Sequence, residues 1–269
     1  MDWTEVLSIF KEAGVITLIV TALMLCAEAL DYALKGRLTR TLKGGSGSVA
    51  LSSLLGAVPG CAGGYFSVSL YSRGMFSFGA LLAMMISTTG DEAFLMLALF
   101  PKKAVVIFAV LALLGIVVGL IYDATGKHFI ASARSDTFPE TASNLRGRLL
   151  HVLPHALRVF EWTFFIMLVV GFASRRWDVA AWIASHPAIG IIAAIVVGMI
   201  PQSGPHMAFV SLYAQGVLPL PVLIASCIMQ EGHAGLPLLS ADRAAFFRGK
   251  AIKAALALLI SVSMTVLGL

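Results

Sequence analysis

Val68-Ser69-Leu70-Tyr71 returns letter for letter as Val210-Ser211-Leu212-Tyr213, and the residues around it return with it. Pro59, Gly74, Leu81, Ala83, Ile86, Gly90 and Leu97 are matched, at one constant offset of 142, by Pro201, Gly216, Leu223, Ala225, Ile228, Gly232 and Leu239. The chain is an internal duplication. Each copy carries a proline-glycine interruption within an apolar stretch and then a polar cluster. That cluster reads Thr88-Thr89-Gly90-Asp91-Glu92 in the first copy and Gln230-Glu231-Gly232-His233 in the second. Paired repeats with interrupted apolar helices are a device of secondary transporters, whose substrate site lies at the repeat interface.

Composition sets the surroundings. With 59% apolar and 12% charged residues and a mean hydropathy of +0.92, the chain is too apolar for an ordinary water-soluble domain. It reads as an all-α integral membrane protein. Cys26, Cys61 and Cys227 all sit in apolar segments, which argues against a disulfide scaffold. The formal charge of +5 fits basic loops on an anionic membrane face, and no nucleic-acid partner is expected.

Length and hydropathy predict continuous spans near residues 12–34, 76–100 and 103–122 in the first half, and near 151–173, 217–240 and 247–268 in the second. Between the first two spans of each half lies a broken stretch, residues 48–72 around Pro59-Gly60 and residues 188–215 around Pro201-Gln202-Ser203-Gly204-Pro205. Each arm is about a dozen residues, short for a crossing but suited to a re-entrant hairpin. The expected organisation is a first repeat over 1–122, a cytoplasmic linker over 123–150 that includes Asp123, and a second repeat over 151–269. Each half then has three crossings plus one hairpin, and the second half is inverted. The competing reading makes each broken stretch one kinked span, giving eight crossings and parallel halves.

Lysines and arginines favour the hairpins. They put Lys35, Arg37, Arg40, Lys43, Arg73, Lys127, Arg134, Arg146, Arg148, Arg243, Arg248 and Lys250 on one side, leaving Lys11, Lys102, Lys103, Arg175 and Arg176 on the other. The crowded side is then cytoplasmic and both termini are external, in a cytoplasmic (inner) membrane. A homodimer is the expected assembly, since a fixed partner gives a moving element something to work against.

The chemistry begins at the breaks. Pro59 and Pro201 remove an amide donor, and Gly60, Gly63, Gly64, Gly204 and the following Pro205 allow non-helical backbone and close approach. A break leaves free N–H groups at the start of one arm and free carbonyls, able to receive a cation, at the end of the other. Ser69 and Ser211 add matched hydroxyls, whose plain role is helix packing through small residues. Tyr71 and Tyr213 read as interfacial anchors.

The acidic clusters carry the sharper signal, because a carboxylate inside a span is costly unless paired, protonated or facing a polar cavity. Asp91, Glu92, Glu231 and His233 offer carboxylate and imidazole ligands suited to Mn, Fe, Co, Ni or Zn. His206 and Cys61 are further candidate ligands, with Gln230, Ser203 and Gln202 as weaker oxygen donors. The plainer alternatives are proton relays, or charges at the membrane surface. No tightly bound cofactor is expected; the metal is substrate.

No Gly-rich loop runs into Lys-Ser/Thr and no His-Glu-x-x-His is present, which argues against ATP-driven pumping and metallopeptidase chemistry. Two alternatives stay open. One is a permease for a small oxyanion, organic anion or metalloid, held by the exposed N–H ends of the hairpins. The other is a membrane-embedded enzyme using the same acidic residues for acid-base work.

The blocks Val58-Pro59-Gly60-Cys61-Ala62-Gly63-Gly64, Thr88-Thr89-Gly90-Asp91-Glu92-Ala93-Phe94, Ile200-Pro201-Gln202-Ser203-Gly204-Pro205-His206 and Gln230-Glu231-Gly232-His233-Ala234-Gly235 resemble the ten-transmembrane heavy-metal exporter family, described as manganese transporters or arsenic-efflux-like permeases. The resemblance covers most of the chain. It implies a permease with metal or metalloid export as its role. Counting each hairpin arm separately gives five apolar segments per repeat, which would reconcile ten segments with six true crossings.

Overall fold

The computed structural model describes residues 3–34, 46–60, 62–72, 74–125, 185–201 and 203–268, with scattered helical positions between 153 and 172. The predicted linker beyond residue 125, the span near 151–173, Cys61, Arg73 and Gln202 lie outside the described residues or largely so. The described residues are helical apart from turns and breaks. In chain order the helices are α1 (Trp3–Leu34), α2 (Ser46–Ala57), α3 (Ala62–Ser72), α4 (Phe78–Ser87), α5 (Glu92–Leu99) and α6 (Pro101–Ala124). Then follow α7 (Pro187–Val197), α8 (Gly204–Ala214), α9 (Leu220–Met229), a 3-10 turn (Gly232–Ala234), α10 (Gly235–Ala241) and α11 (Arg243–Val266).

The offset that relates the sequences also relates the helices. Shifted by 142, the bounds of α3, α4 and α6 fall on those of α8, α9 and α11. The hydrogen bonds repeat as well. Gly74 N donates to Tyr71 O as Gly216 N does to Tyr213 O, and Met75 N donates to Leu70 O as Val217 N does to Leu212 O. Phe100 N donates to Met96 O as Asp242 N does to Leu238 O. In each copy the middle helix (α4, α9) packs on the long one (α6, α11) and on the helix before the proline break (α2, α7). A conserved pairing rule also links the copies: α3 packs on α10, and its counterpart α8 packs on α5. Reciprocal contacts of this kind are those of a two-fold relation.

α6, α11 and the stretch Phe78–Leu99 are long and apolar enough to cross a bilayer. The long helices expose Val106, Val110, Leu113 and Val117 on one and Leu258, Leu259, Val262 and Val266 on the other, an apolar surface that suits lipid. Two cores fill the interior, and both mix the repeats. Phe94, Leu95 and Met96 pack with Val222, Leu223 and Met229, while Leu81, Met84 and Met85 pack with Leu238 and Phe246.

Four expectations need correction. The stretches 76–100 and 217–240 are not continuous helices: α4 stops at Ser87 and α5 starts at Glu92, and α9 stops at Met229. The cause is local: the caps Thr88 and Gln230 turn extended, with ψ of 133° and 155°, and Gly90 and Gly232 then take a left-handed φ of 56° that suits glycine. Tyr71 is no interfacial anchor; it is buried and its hydroxyl donates to Asp242 Oδ2 at 3.2 Å. Asp123 belongs to α6 and accepts from Ser77 Oγ and Gly79 N, so it caps α4 where orphan amides need an acceptor. Lys250 does not sit among surface cations, because its side chain is fully buried.

Candidate functional site

Both proline breaks and both glycine breaks meet at the centre of the two-fold arrangement. Gly60, with φ of 98°, donates its amide to Gly90 O at 3.0 Å, joining the first break to the second. Gln230 Nε2 donates to Thr88 O. Since 88 and 230 are equivalent positions, this bond straddles the pseudo-symmetry axis. Gly90 and Gly232 do so too: a Cβ on Gly90 would lie 3.4 Å from Gly232 Cα and 3.2 Å from both Glu92 Oε2 and Gln230 Oε1. Two side-chain oxygens therefore converge beside the axis, and only glycine leaves room for them.

The surroundings are buried but polar. Thr88, Thr89, Asp91, Glu92, Ser203, His206, Gln230 and Glu231 are all buried. Asp91 Oδ2 accepts from Ser203 Oγ of the other repeat at 3.4 Å. His206 turns Nδ1 to Ser226 Oγ at 3.0 Å. Thr88 Oγ1, Thr89 Oγ1, Glu92 Oε2, Gln230 Oε1 and His206 Nε2 have no hydrogen-bond partner among the described residues. Burying a polar atom without a protein partner is costly, so these five atoms mark the region as the candidate site.

Glu231 has a different fate. Lys253 Nζ donates to its Oε1 at 2.7 Å, to Gln230 O at 2.8 Å and to Met85 O. Lys250 Nζ forms an ion pair with Oε2 and donates to Gly198 O and to Met229 O, the latter at 2.8 Å. Both ammonium groups are fully buried. All three donors of Lys253 are engaged. Gly249 leaves room beside α11 for the flexible end of Met85, which a Cβ there would overlap.

Of the residues singled out from sequence, Asp91, Glu92, Gln230, Glu231, Ser203 and His206 belong to this buried region. His233 lies in the 3-10 turn, its side chain outside the described residues, and Cys61 and Gln202 lie outside them altogether. Ser211 is buried on α8 and Ser69 half-buried on α3. At the breaks, Gly63 abuts Leu55 O, Gly64 abuts Ala234, and Pro201 lies against Gly235. Pro205 sits in the first turn of α8, which begins at Gly204.

Sequence reasoning missed Lys250, Lys253 and Ser226. For Lys253 a signal existed, because it interrupts an apolar run from Ala251 onward, and an intramembrane lysine is itself a mark of function. Among the described residues no group of three or more His, Cys, Asp or Glu side chains is disposed to hold a metal ion.

A duplicated bundle of broken membrane helices, with ionisable groups buried where the breaks meet, defines a membrane transport protein of the permease class. The chain belongs to the family described as "Putative, 10TM heavy-metal exporter", which matches over residues 13–175 and again over 156–265. Comparison with curated proteins and with solved structures gave no match. Membership supports a role in the transport of heavy-metal or related ions.

Proposed function

We propose that the chain is a secondary active permease that moves a divalent heavy-metal cation, Mn2+ among the candidates, out across the cytoplasmic membrane, driven by protons or membrane potential. One observation carries this reading. The unengaged atoms at the centre are acceptors or can act as acceptors, namely Glu92 Oε2, Gln230 Oε1, His206 Nε2 and two threonine hydroxyls, whereas the buried ammonium groups are already committed to carbonyls and Glu231. Such a centre suits a cation. An oxyanion would need donors, and the strongest ones are in use.

Glu92 and Gln230 oxygens, which converge beside Gly90, form the core of the proposed binding group; Glu231 is held back by its two lysines. Oxygen and imidazole donors suit borderline divalent ions. The broken stretches are read as re-entrant hairpins. α2, α3, α7 and α8 have 12, 11, 11 and 11 residues and so rise about 17 Å each, near half of a hydrocarbon layer of about 30 Å. With the two-fold axis in the membrane plane, the repeats are inverted and exchange access by rocking about the centre.

The test is flux into sealed proteoliposomes with Mn, Zn, Co, Ni, Fe and Ca, comparing wild type with Glu92→Gln and Asp91→Asn. Saturable flux of one or two metals that falls at least tenfold in Glu92→Gln is expected. Equal flux in wild type and a folded Asp91→Asn/Glu92→Gln double variant would sink the reading, and flux of an oxyanion without any metal flux would replace it with the anion permease.

A further inference from the structure

The second repeat holds an arrangement that the first does not. Lys250 and Lys253 meet four backbone carbonyls, Gly198, Met229, Gln230 and Met85, and each carbonyl lies at a helix end. Gly198 closes α7, Met229 and Gln230 close α9, and Met85 is in the last turn of α4. Terminal carbonyls lack helical partners and carry the negative end of the helix dipole. With the two carboxylate oxygens of Glu231 they make an all-oxygen cage. Carbonyls from unwound helices and helix C-terminal ends are what transporters use to hold a mobile monovalent cation. Here the chain's own side chains fill the cage.

At the equivalent places in the first repeat stand Phe108, Leu111 and Thr89. There the carbonyl that matches Gln230 O, Thr88 O, takes a neutral donor, Gln230 Nε2, and nearby Ser87 Oγ donates to Ser53 O. The charge is therefore one-sided in a two-fold frame. At Thr88 O the first repeat meets the equivalent helix end with an amide and not an ammonium.

We propose that Lys250 and Lys253 are tethered replacements for mobile monovalent cations: their ammonium groups occupy a carbonyl-carboxylate cage that would otherwise take Na+, K+ or ammonium. The second repeat thus carries its structural cations covalently, and the folded protein needs no monovalent cation there. This inference is independent of which ion is transported.

The test uses thermal unfolding of the purified full chain in detergent, with choline, Na+, K+, ammonium or methylammonium chloride at equal ionic strength and no heavy metal. Wild type is expected to have one Tm in all five salts. Lys253→Met and Lys250→Met are expected to be destabilised in choline and raised saturably by at least one small cation, by about 5–10 °C at a hundredfold excess over its Kd. Lys253→Met/Glu231→Gln, which lacks both an ammonium and the carboxylate, is expected to lose that response. A saturable Na+ or K+ response in wild type overturns the proposal, as do lysine variants whose Tm is the same in every salt. It is also overturned if Lys253→Met fails to fold in every salt while the double variant folds; if neither folds, Lys250→Met and wild type decide. Metal flux plays no part in these readings, so failure here is distinct from failure of the transport assay.

Discussion

The two repeats reach one backbone path by different chemistry. In the first, glycine brings helices into contact: Gly115 abuts Ala83 O, Gly119 abuts Gly79 O, and Gly56 abuts Met84 O and Ser87. Serine hydroxyls then meet the carbonyls, as Ser53 Oγ does at Ala112 O with 2.7 Å. In the second, positions 257 and 261, equivalent to 115 and 119, are Ala and Ser, and two lysines with one glutamate hold the helix ends. Along its long helix the first half is close-packed without charge, whereas the second is stitched there by buried lysines. Buried pairs add little net stability when intact but are costly to break, whereas close packing fails by overlap. Equivalent substitutions should therefore hurt the halves by different routes.

The largest effect is expected at Glu231. Glu231→Gln leaves two buried ammonium groups facing one neutral amide, a change of about 3–5 kcal/mol, read as a fall in Tm of roughly 10 °C or more in detergent. Glu92→Gln is the counterpart. Its Oε2 has no partner to lose, so Tm should hold or rise while metal flux collapses. A Glu231→Gln protein as stable as wild type would mean that the lysine cluster is not what holds the second half.

Next in size are the close contacts. Gly115→Ala drives a methyl into Ala83 O, at 2.5 Å, and to 3.0 Å from Ser53 Oγ, an overlap expected to cost about 1–3 kcal/mol. The converse change in the other half, Ala257→Gly, loses one buried methyl and gains backbone freedom, about 1 kcal/mol. Comparing their Tm values at matched detergent checks the order; Ala257→Gly as the worse of the two would show that the second half also depends on close approach.

How much of this was legible beforehand follows the same divide. The duplication, the proline breaks and the acid-bearing turns were readable because each leaves a local mark, such as Pro59 matched by Pro201 or Gly90 matched by Gly232. The break inside 76–100 was less so. An apolar run reads as one helix unless glycine's left-handed conformation is anticipated, and a lone glycine within such a run does not announce its φ. Lys250 was hidden by its neighbours, since Arg243 and Arg248 made it look like one more cytoplasmic cation. Its partners, Gly198 O and Met229 O, are carbonyls, and backbone acceptors leave no trace in a residue pattern. Tyr71 shows the same limit, because its partner Asp242 lies 171 positions away.

The finest test of the two-fold frame uses those tyrosines. Tyr71 faces residue 242 and Tyr213 faces Phe100, which is the equivalent of 242, in an edge-to-face contact of 5.2 Å between centroids. The positions correspond, yet one hydroxyl is buried on a carboxylate and the other accepts from Lys103 Nζ at 3.1 Å where water competes. Tyr71→Phe should remove a buried bond to Asp242, which keeps Ala245 N as a donor, at about 1 kcal/mol. Tyr213→Phe keeps its ring contact and gives up only an exposed bond, so it should stay within about 0.5 kcal/mol of wild type. Equal losses would mean that the buried bond to Asp242 contributes no more than the exposed bond from Lys103.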